Sequence, residues 1–365
     1  MATQFSFKES SFRIGSGRYI QDSGCIAQLA EEITRLGCAR PYIIGGETAL
    51  SLARPAIDAS LTAAGLTAAY YTYAGFCCEP HLDEIMATDV FRAADIVVGV
   101  GGGNVMDAAK FCAVTSGRPI INIPTSSATC AAFTPLSVMY TPEGRTAGTK
   151  HHKVEVNCVL ADMDILCRQP VRLLVAGVYD SLAKLIEINQ RLLGRTEADT
   201  DIGLLSSYAL SRFSYDWMLR NLDECCADVA HGRDTKVVWD MVYILIALTG
   251  VISGLARGSN QCAIAHKVYE TTRTVRPAEA KPWLHGELVG IGLIVQLIYN
   301  GEPEEAARFA EKMASLGMPT RLSACVPVTD DDLRQLFEKV CASTAMAGTG
   351  DTEQARLWDA LQLVR

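Results

Sequence analysis

Short apolar runs alternate with stretches of helical spacing through the first half of this chain. Ile96 to Val100 is a β-branched run of the kind expected of a strand buried on both faces of a parallel sheet. It leads directly into Gly101, Gly102 and Gly103, and a helical pattern follows from Asn104. Pro41 to Gly46 predicts a second strand ending in glycines, with a helix from Thr48 onward. Ala68–Tyr73 predicts a strand, Leu82–Ala94 a helix, and Pro119–Pro124 a further strand with a Thr/Ser-rich loop after it. This alternation predicts an open, mostly parallel sheet with helices on both faces. Ligands bind at the carboxyl ends of such strands, where Gly45-Gly46, the three glycines and Thr125-Ser126-Ser127 are expected to share one crevice.

After Pro170 the strand-like runs stop and helical spacing takes over. Pro303, followed by Glu304 and Glu305, predicts a helix start, and Gly317 its end. Thr329 before three aspartates predicts another capped start. The pattern divides the chain into an α/β domain, residues 1–162, and an all-α domain, residues 163–365.

Composition narrows the class. The 365 residues are 49% hydrophobic and 20% charged, which describes a well-packed globule of two-domain size. A net charge of -8 argues against a nucleic-acid partner or an acidic membrane surface. The uncharged run Met241–Ala256 is short for a membrane span and predicts a buried helix. The first residues lack the basic start and apolar core of a secretory signal, and the 13 cysteines show no C-x-x-C spacing. A reduced, cytoplasmic protein is expected.

Three consecutive glycines between a strand and a helix offer bare N–H groups and close approach, which is how proteins hold a phosphate. A tight turn capped by Asn104 and completed by Asp107 is the competing explanation. The spacing is neither a Walker loop nor G-x-G-x-x-G. Among the six histidines, His266 lies on an apolar helical stretch and His285 at a helix start flanked by Pro282 and Gly286. Such imidazoles suit a divalent metal, and Asp180, inside another apolar helical stretch, is a natural third ligand. Taken separately, each histidine is more often a satisfied core residue than a ligand. His151-His152 is expected to be an exposed loop pair, and His231-Gly232 the end of a helix.

Gly101-Gly-Gly-Asn-Val-Met-Asp-Ala-Ala-Lys110 resembles the G-G-G-[KST]-x-x-D-x-A-K signature of the iron-containing, or group III, alcohol dehydrogenases. Pro135–Gly144, Pro170–Asp180, Ala265-His266 and Leu284-His-Gly-Glu287 are similar to segments of the glycerol dehydrogenase branch, in the same order along almost the whole chain. The resemblance implies a dehydroquinate synthase-like fold: a nucleotide-binding α/β domain, a helical domain and an active site in the cleft between them. It implies a divalent metal on Asp180, His266 and His285. Iron members carry a further histidine where this chain has Lys184, so zinc is expected over iron. The cofactor, NAD or NADP, would lie on Gly101, Gly102, Gly103 and Asn104. Thr125, Thr129 and Ser137 are expected near the nicotinamide and ribose, with Asp107 close by. A homo-oligomer is the family expectation.

Four positions depart from the pattern. Asn104 replaces Lys, Thr or Ser. Gly46, with Glu47 next, stands where an Asp often discriminates against a 2′-phosphate, so NADP stays open. Tyr269 replaces a second histidine. Cys130 stands where glycerol dehydrogenases place a polyol-holding Asp, as in a sister subgroup acting on 2-hydroxy and 2-oxo carboxylates. The expected activity is metal-dependent, NAD(P)-linked oxidation of a small alcohol or polyol. The alternatives are a 2-oxo acid reductase and a dehydroquinate synthase-like lyase, which would draw on Arg257, Lys267 and Lys281 for a phosphorylated substrate. A non-catalytic member retaining the fold is a third.

Overall fold

The computed structural model describes residues 13–256 and 261–365; Arg257 lies outside them. Strand β1 (Tyr19–Asp22) leads into α1 (Leu29–Arg35), β2 (Pro41–Gly45), α2 (Glu47–Ala63) and β3 (Ala69–Thr72). Helices α3 (Glu79–Met86) and α4 (Asp89–Ala93) precede β4 (Ile96–Gly101), α5 (Gly103–Thr115) and β5 (Ile120–Pro124). A hairpin of β6 (Leu136–Tyr140) and β7 (Thr146–His151) is followed by β8 (Cys158–Asp162) and the short α6 (Met163–Leu166). The next helices are α7 (Val171–Leu192), α8 (Ile202–Ala230), α9 (Lys236–Tyr243), α10 (Thr249–Leu255) and α11 (Ile264–Val275). The chain ends with α12 (Pro277–Ala280), α13 (His285–Tyr299), α14 (Pro303–Ser315), α15 (Asp330–Cys341) and α16 (Asp351–Leu363). Thr329 caps α15 through the Asp332 N–H, and Gly317 follows α14 with φ 74°, as their sequence signals predict.

Six strands form one parallel sheet in the order β1-β8-β5-β4-β2-β3. The fully buried strands β2, β4, β5 and β8 lie inside it, and the half-buried β1 and β3 form its edges. Period-two alternation splits the apolar strand residues between two cores. Ile96, Val98, Val100, Ile121, Ile123 and Leu160 pack with α1 and α2. Val97, Ile120, Val159 and Ala161 face a second core that continues through α5 into α7 and α13. From β2 the chain steps outward to β3 and then returns to β4 on the opposite side of β2. This reversal opens a crevice between the carboxyl ends of β2 and β4.

The structure corrects three local expectations. Leu82–Ala94 is not one helix: Thr88 is extended, accepts the Phe91 N–H on its hydroxyl, and starts α4 afresh. Asn104 does not cap α5; Gly102 is the N-cap, with no side-chain hydrogen bond, and Asn104 is exposed on the first turn. His151-His152 is not an exposed pair. His151 is exposed at the end of β7, whereas His152 is buried. The uncharged run after Asp240 belongs to a longer unit, since Lys236–Leu255 is one continuous helix of 20 residues through a π turn at Ile244–Leu248. By length and composition it is sufficient to cross a membrane. However, 61% of its apolar window is buried inside the protein, and it packs on α8.

Candidate metal and dinucleotide site

Helix α7 places Asp180, Lys184 and Glu187 at i, i+4 and i+7, so all three project from one face. All are buried, and a charged side chain persists there only with a compensating partner. Glu187 finds its partners in α11. One oxygen, Oε1, accepts the backbone N–H groups of Ala263 (2.8 Å) and His266 (2.9 Å), which lack intrahelical acceptors at the start of α11. Gln296 Oε1 of α13 takes the Ile264 N–H at 2.8 Å. The first turn of α11 is thus fixed by side chains of α7 and α13, and His266 is carried on that turn.

The start of α13 is held in a similar way. Glu287 accepts the Leu284 N–H at 2.8 Å and receives a forked pair of bonds from Arg172 of α7, at 2.6 and 2.8 Å. Gly286 then allows backbone contact between the helices, because a Cβ there would lie 1.8 Å from the Ala176 carbonyl oxygen. Gly292 does the same against α11, where a Cβ would lie 2.3 Å from the Ala265 oxygen. These approaches bring His285, the first residue of α13, against Asp180 and His266.

The three side chains meet. His285 Nε2 lies 3.2 Å and His266 Nε2 3.4 Å from the same oxygen, Asp180 Oδ1, and one ligand atom from each residue falls within 4.8 Å of the others. Burial works against the Asp180 charge. The facing His285 and Lys184, with hydrogen bonds from both histidines, outweigh it and hold the carboxyl well below its usual range. His266 Nδ1 is 2.7 Å from Glu187 Oε2, so the carboxylate holds a proton on Nδ1 and turns Nε2 toward Asp180, the nitrogen that would ligate a cation once its own proton is displaced. Two imidazoles and one carboxylate, oriented from behind, fit a divalent cation with three protein ligands. Tyr269 packs edge-on against His285, with ring centroids 4.3 Å apart, and its hydroxyl pairs with that of Tyr140 at 2.7 Å.

The glycine loop lies at the strand-order reversal. Gly46 N–H bonds the Val100 carbonyl, and Thr125 N–H bonds the Gly101 carbonyl, so the loops after β2, β4 and β5 are stitched side by side. Gly101 has φ 154°, outside the range side-chain-bearing residues favour. A Cβ on Gly102 would approach Ser126 Oγ at 3.5 Å, and one on Gly103 would approach Thr129 Oγ1 at 3.1 Å. Added side chains would fill the cradle, and no side chain caps the first N–H groups of α5. These features suit an anionic diphosphate.

The remaining candidates divide into two groups. Thr125 and Thr129 are half-buried beside the glycines. Asp107 and Ser137 instead belong to a buried cluster behind α5. The Ser137 hydroxyl donates to the Asp107 carbonyl at 2.8 Å and lies 2.8 Å from His152 Nε2, and Asp107 pairs with Lys110 at 3.0 Å. The Lys110 ammonium also donates to the carbonyls of Ala131 (2.7 Å), Thr134 (3.0 Å) and Leu136, fastening the loop that carries Cys130. Cys130 is buried, and its electrostatic neighbours include Lys184 and Asp180; burial pushes its thiol up to about 11, so it is neutral at pH 7. Lys267 is ion-paired with Glu270, and exposed Lys281 lies over the Phe76 ring. Sequence reasoning missed Glu187 and His152. For Glu187, the available signal is its seven-residue spacing from Asp180 on an apolar helix.

Residues 16–164 match the profile of the iron-containing alcohol dehydrogenases. The glycerol dehydrogenase of Thermotoga maritima is 29% identical over 338 residues, covering 89% of this chain and 88% of that protein. Hydroxycarboxylate dehydrogenase A of Escherichia coli is 28% identical over 318 residues, covering 85% and 84%. The solved glycerol dehydrogenase of Schizosaccharomyces pombe shares the fold, with a TM-score of 0.83 and 22% identity over 98% of this chain and 92% of that one. The family match and the relatives indicate an oxidoreductase of the alcohol dehydrogenase class, and a parallel sheet joined to a helical half is the fold shared with the solved neighbours. This chain is similar to the iron-containing alcohol dehydrogenases across its α/β half and to glycerol dehydrogenases over most of its length.

Proposed function

We propose that this chain is a metal-dependent, NAD(P)-linked dehydrogenase acting on a small alcohol or polyol. Residues 1–162 bind the dinucleotide, and residues 163–365 bind metal and substrate. The observation that carries this reading is the convergence of Asp180, His266 and His285 from three helices on one point, beside the loop after β5. Asp180, His266 and His285 would hold the cation, which when bound polarises the substrate oxygen and makes its hydroxyl more acidic. A bound oxidised nicotinamide would accept the carbinol hydrogen with both electrons of its C–H bond, as hydride, and the hydroxyl proton would pass to water. The product is the carbonyl compound.

The chain's own residues bind and orient. The Gly101–Gly103 loop and the first turn of α5 receive the pyrophosphate, with Gly46, Asn104, Thr125 and Thr129 around it. Asp107 and Ser137 support the loop from behind. Glu187 keeps His266 in its ligating tautomer. Lys184, where iron members have histidine, supports zinc over iron. Gly46 brings no carboxylate to the end of β2, so both NAD and NADP remain substrates of this reading. All 13 cysteines are unpaired, which supports a reducing, cytoplasmic compartment. A homo-oligomer without nucleic-acid or membrane partners completes the proposal.

The test is His266→Ala in zinc-reconstituted protein. Turnover on a panel of diols, polyols and 2-oxo acids should be lost while dinucleotide binding persists. Undiminished turnover by this variant would falsify the metal assignment. One observation favours the second reading, a 2-oxo acid reductase: buried Cys130, neutral at pH 7, contributes no carboxylate to hold a polyol.

A further inference from the structure

Lys184 has so far served only to favour the Asp180 charge, with no part in binding substrate. It lies one helical turn beyond Asp180 on the same face of α7, and the residue is only 5% exposed. It makes no hydrogen bond or ion pair with any described residue, and no carboxylate oxygen of Asp180 or Glu187 comes within ion-pair distance of its ammonium. Buried Lys110, by contrast, is tied down by three carbonyls and Asp107. An ammonium buried without a direct partner is costly, and such groups are retained where something else supplies the counter-charge.

The charge inventory around Lys184 points the same way. The groups that act on it most strongly include Asp180, Cys262, Cys130 and Glu187, and Cys130 is neutral at pH 7. Asp180 and Glu187 carry two negative charges. A divalent cation on the three-residue cluster, with the Lys184 ammonium, supplies three positive ones. The loaded site would be left one negative charge short beside a largely buried cation.

We propose that Lys184 receives a carboxylate bonded directly to the reacting carbon, and so selects 2-hydroxy and 2-oxo acids over neutral alcohols and ketones. This rests on the dehydrogenase reading and narrows its substrate class. Lys184 is the specificity residue, and Cys130 leaves room beside it because it adds no competing negative charge.

The test compares pyruvate with hydroxyacetone, which differ by a carboxylate against a hydroxymethyl group. Zinc-reconstituted parent, Lys184→Met and Lys184→Arg are assayed with reduced cofactor. A charge-assisted contact predicts that the ratio of kcat/KM for pyruvate to that for hydroxyacetone falls at least about tenfold in Lys184→Met. Lys184→Arg should recover part of it. Direct calorimetry with oxamate, an unreactive isostere of pyruvate, should show binding weakened at least about tenfold by Lys184→Met. A ratio and an oxamate affinity that both stay within about twofold of the parent overturn the proposal. If the parent turns over nothing in the panel of diols, polyols and 2-oxo acids with either cofactor, the dehydrogenase reading falls, and the oxamate titration alone decides the role of Lys184.

Discussion

Glu187 holds His266 twice: Oε2 lies 2.7 Å from the ring Nδ1, and Oε1 accepts the backbone N–H of the same residue at 2.9 Å. Because the carboxylate can only accept, the imidazole proton stays on Nδ1 and Nε2 keeps its lone pair for a metal. Glu187→Gln preserves shape but presents an amide N–H to Nδ1. The proton then moves to Nε2 and blocks ligation. Zinc affinity, measured by competition with a chromophoric chelator, should fall about 10–100-fold. Unchanged affinity would mean that Glu187 only caps α11.

Gly286→Ala tests whether the cluster depends on backbone contact between helices. The added methyl would lie 1.8 Å from the Ala176 oxygen, so α13 must move away from α7. Overpacking of this kind costs about 1–3 kcal/mol in denaturant unfolding. The displacement carries His285, so zinc binding should weaken along with stability. Full metal affinity in a destabilised variant would show that His285 adjusts independently of the helix.

Gly102→Asp separates the glycine loop from helix stability, because the two effects have opposite signs. At the N-cap of α5 an aspartate accepts first-turn N–H groups and stabilises the helix by a few tenths of a kcal/mol relative to glycine. The same carboxylate occupies the position assigned to the pyrophosphate and repels it. Dinucleotide affinity from fluorescence titration should drop at least about tenfold, while the melting temperature holds or rises. Retained affinity would move the phosphate site elsewhere.

What the sequence made legible tracks how local each cause is. The β4–glycine–α5 unit was readable because a strand, a turn and a helix follow within twenty residues. Asp180, His266 and His285 stood out as polar groups in apolar surroundings, but their meeting depends on Gly286 and Gly292 contacts across helices, which no local period reveals. Glu187 resembles any other acid on an amphipathic helix until Ala263 and His266 are seen to donate to it. His152 was misread because Lys153 and His151 suggest a solvated stretch; the hairpin exposes His151 and buries its neighbour. The cap moved from Asn104 to Gly102 because side-chain preference says nothing about where the backbone first turns helical.

His152 also makes stability depend on pH. Burial, reinforced by the charges of Lys110, Lys150 and His151, lowers its pKa from 6.5 to about 4. With the Ser137 hydroxyl proton committed to the Asp107 carbonyl, the neutral ring donates from Nε2 to Ser137 Oγ. The folded state therefore binds its extra proton less readily than the unfolded chain. The neutral histidine contributes fully above pH 6.5, and that contribution is lost as pH falls toward 4, where the unfolded chain gains a proton that the fold refuses. At pH 4.5 the loss relative to pH 7 is roughly 2–3 kcal/mol. His152→Gln can still donate to Ser137 but does not titrate. Its unfolding free energy should drop less between pH 7 and 4.5 than the parent's, by about that amount. Equal drops in the two proteins would show that His152 titrates normally and that other groups set the acid limit.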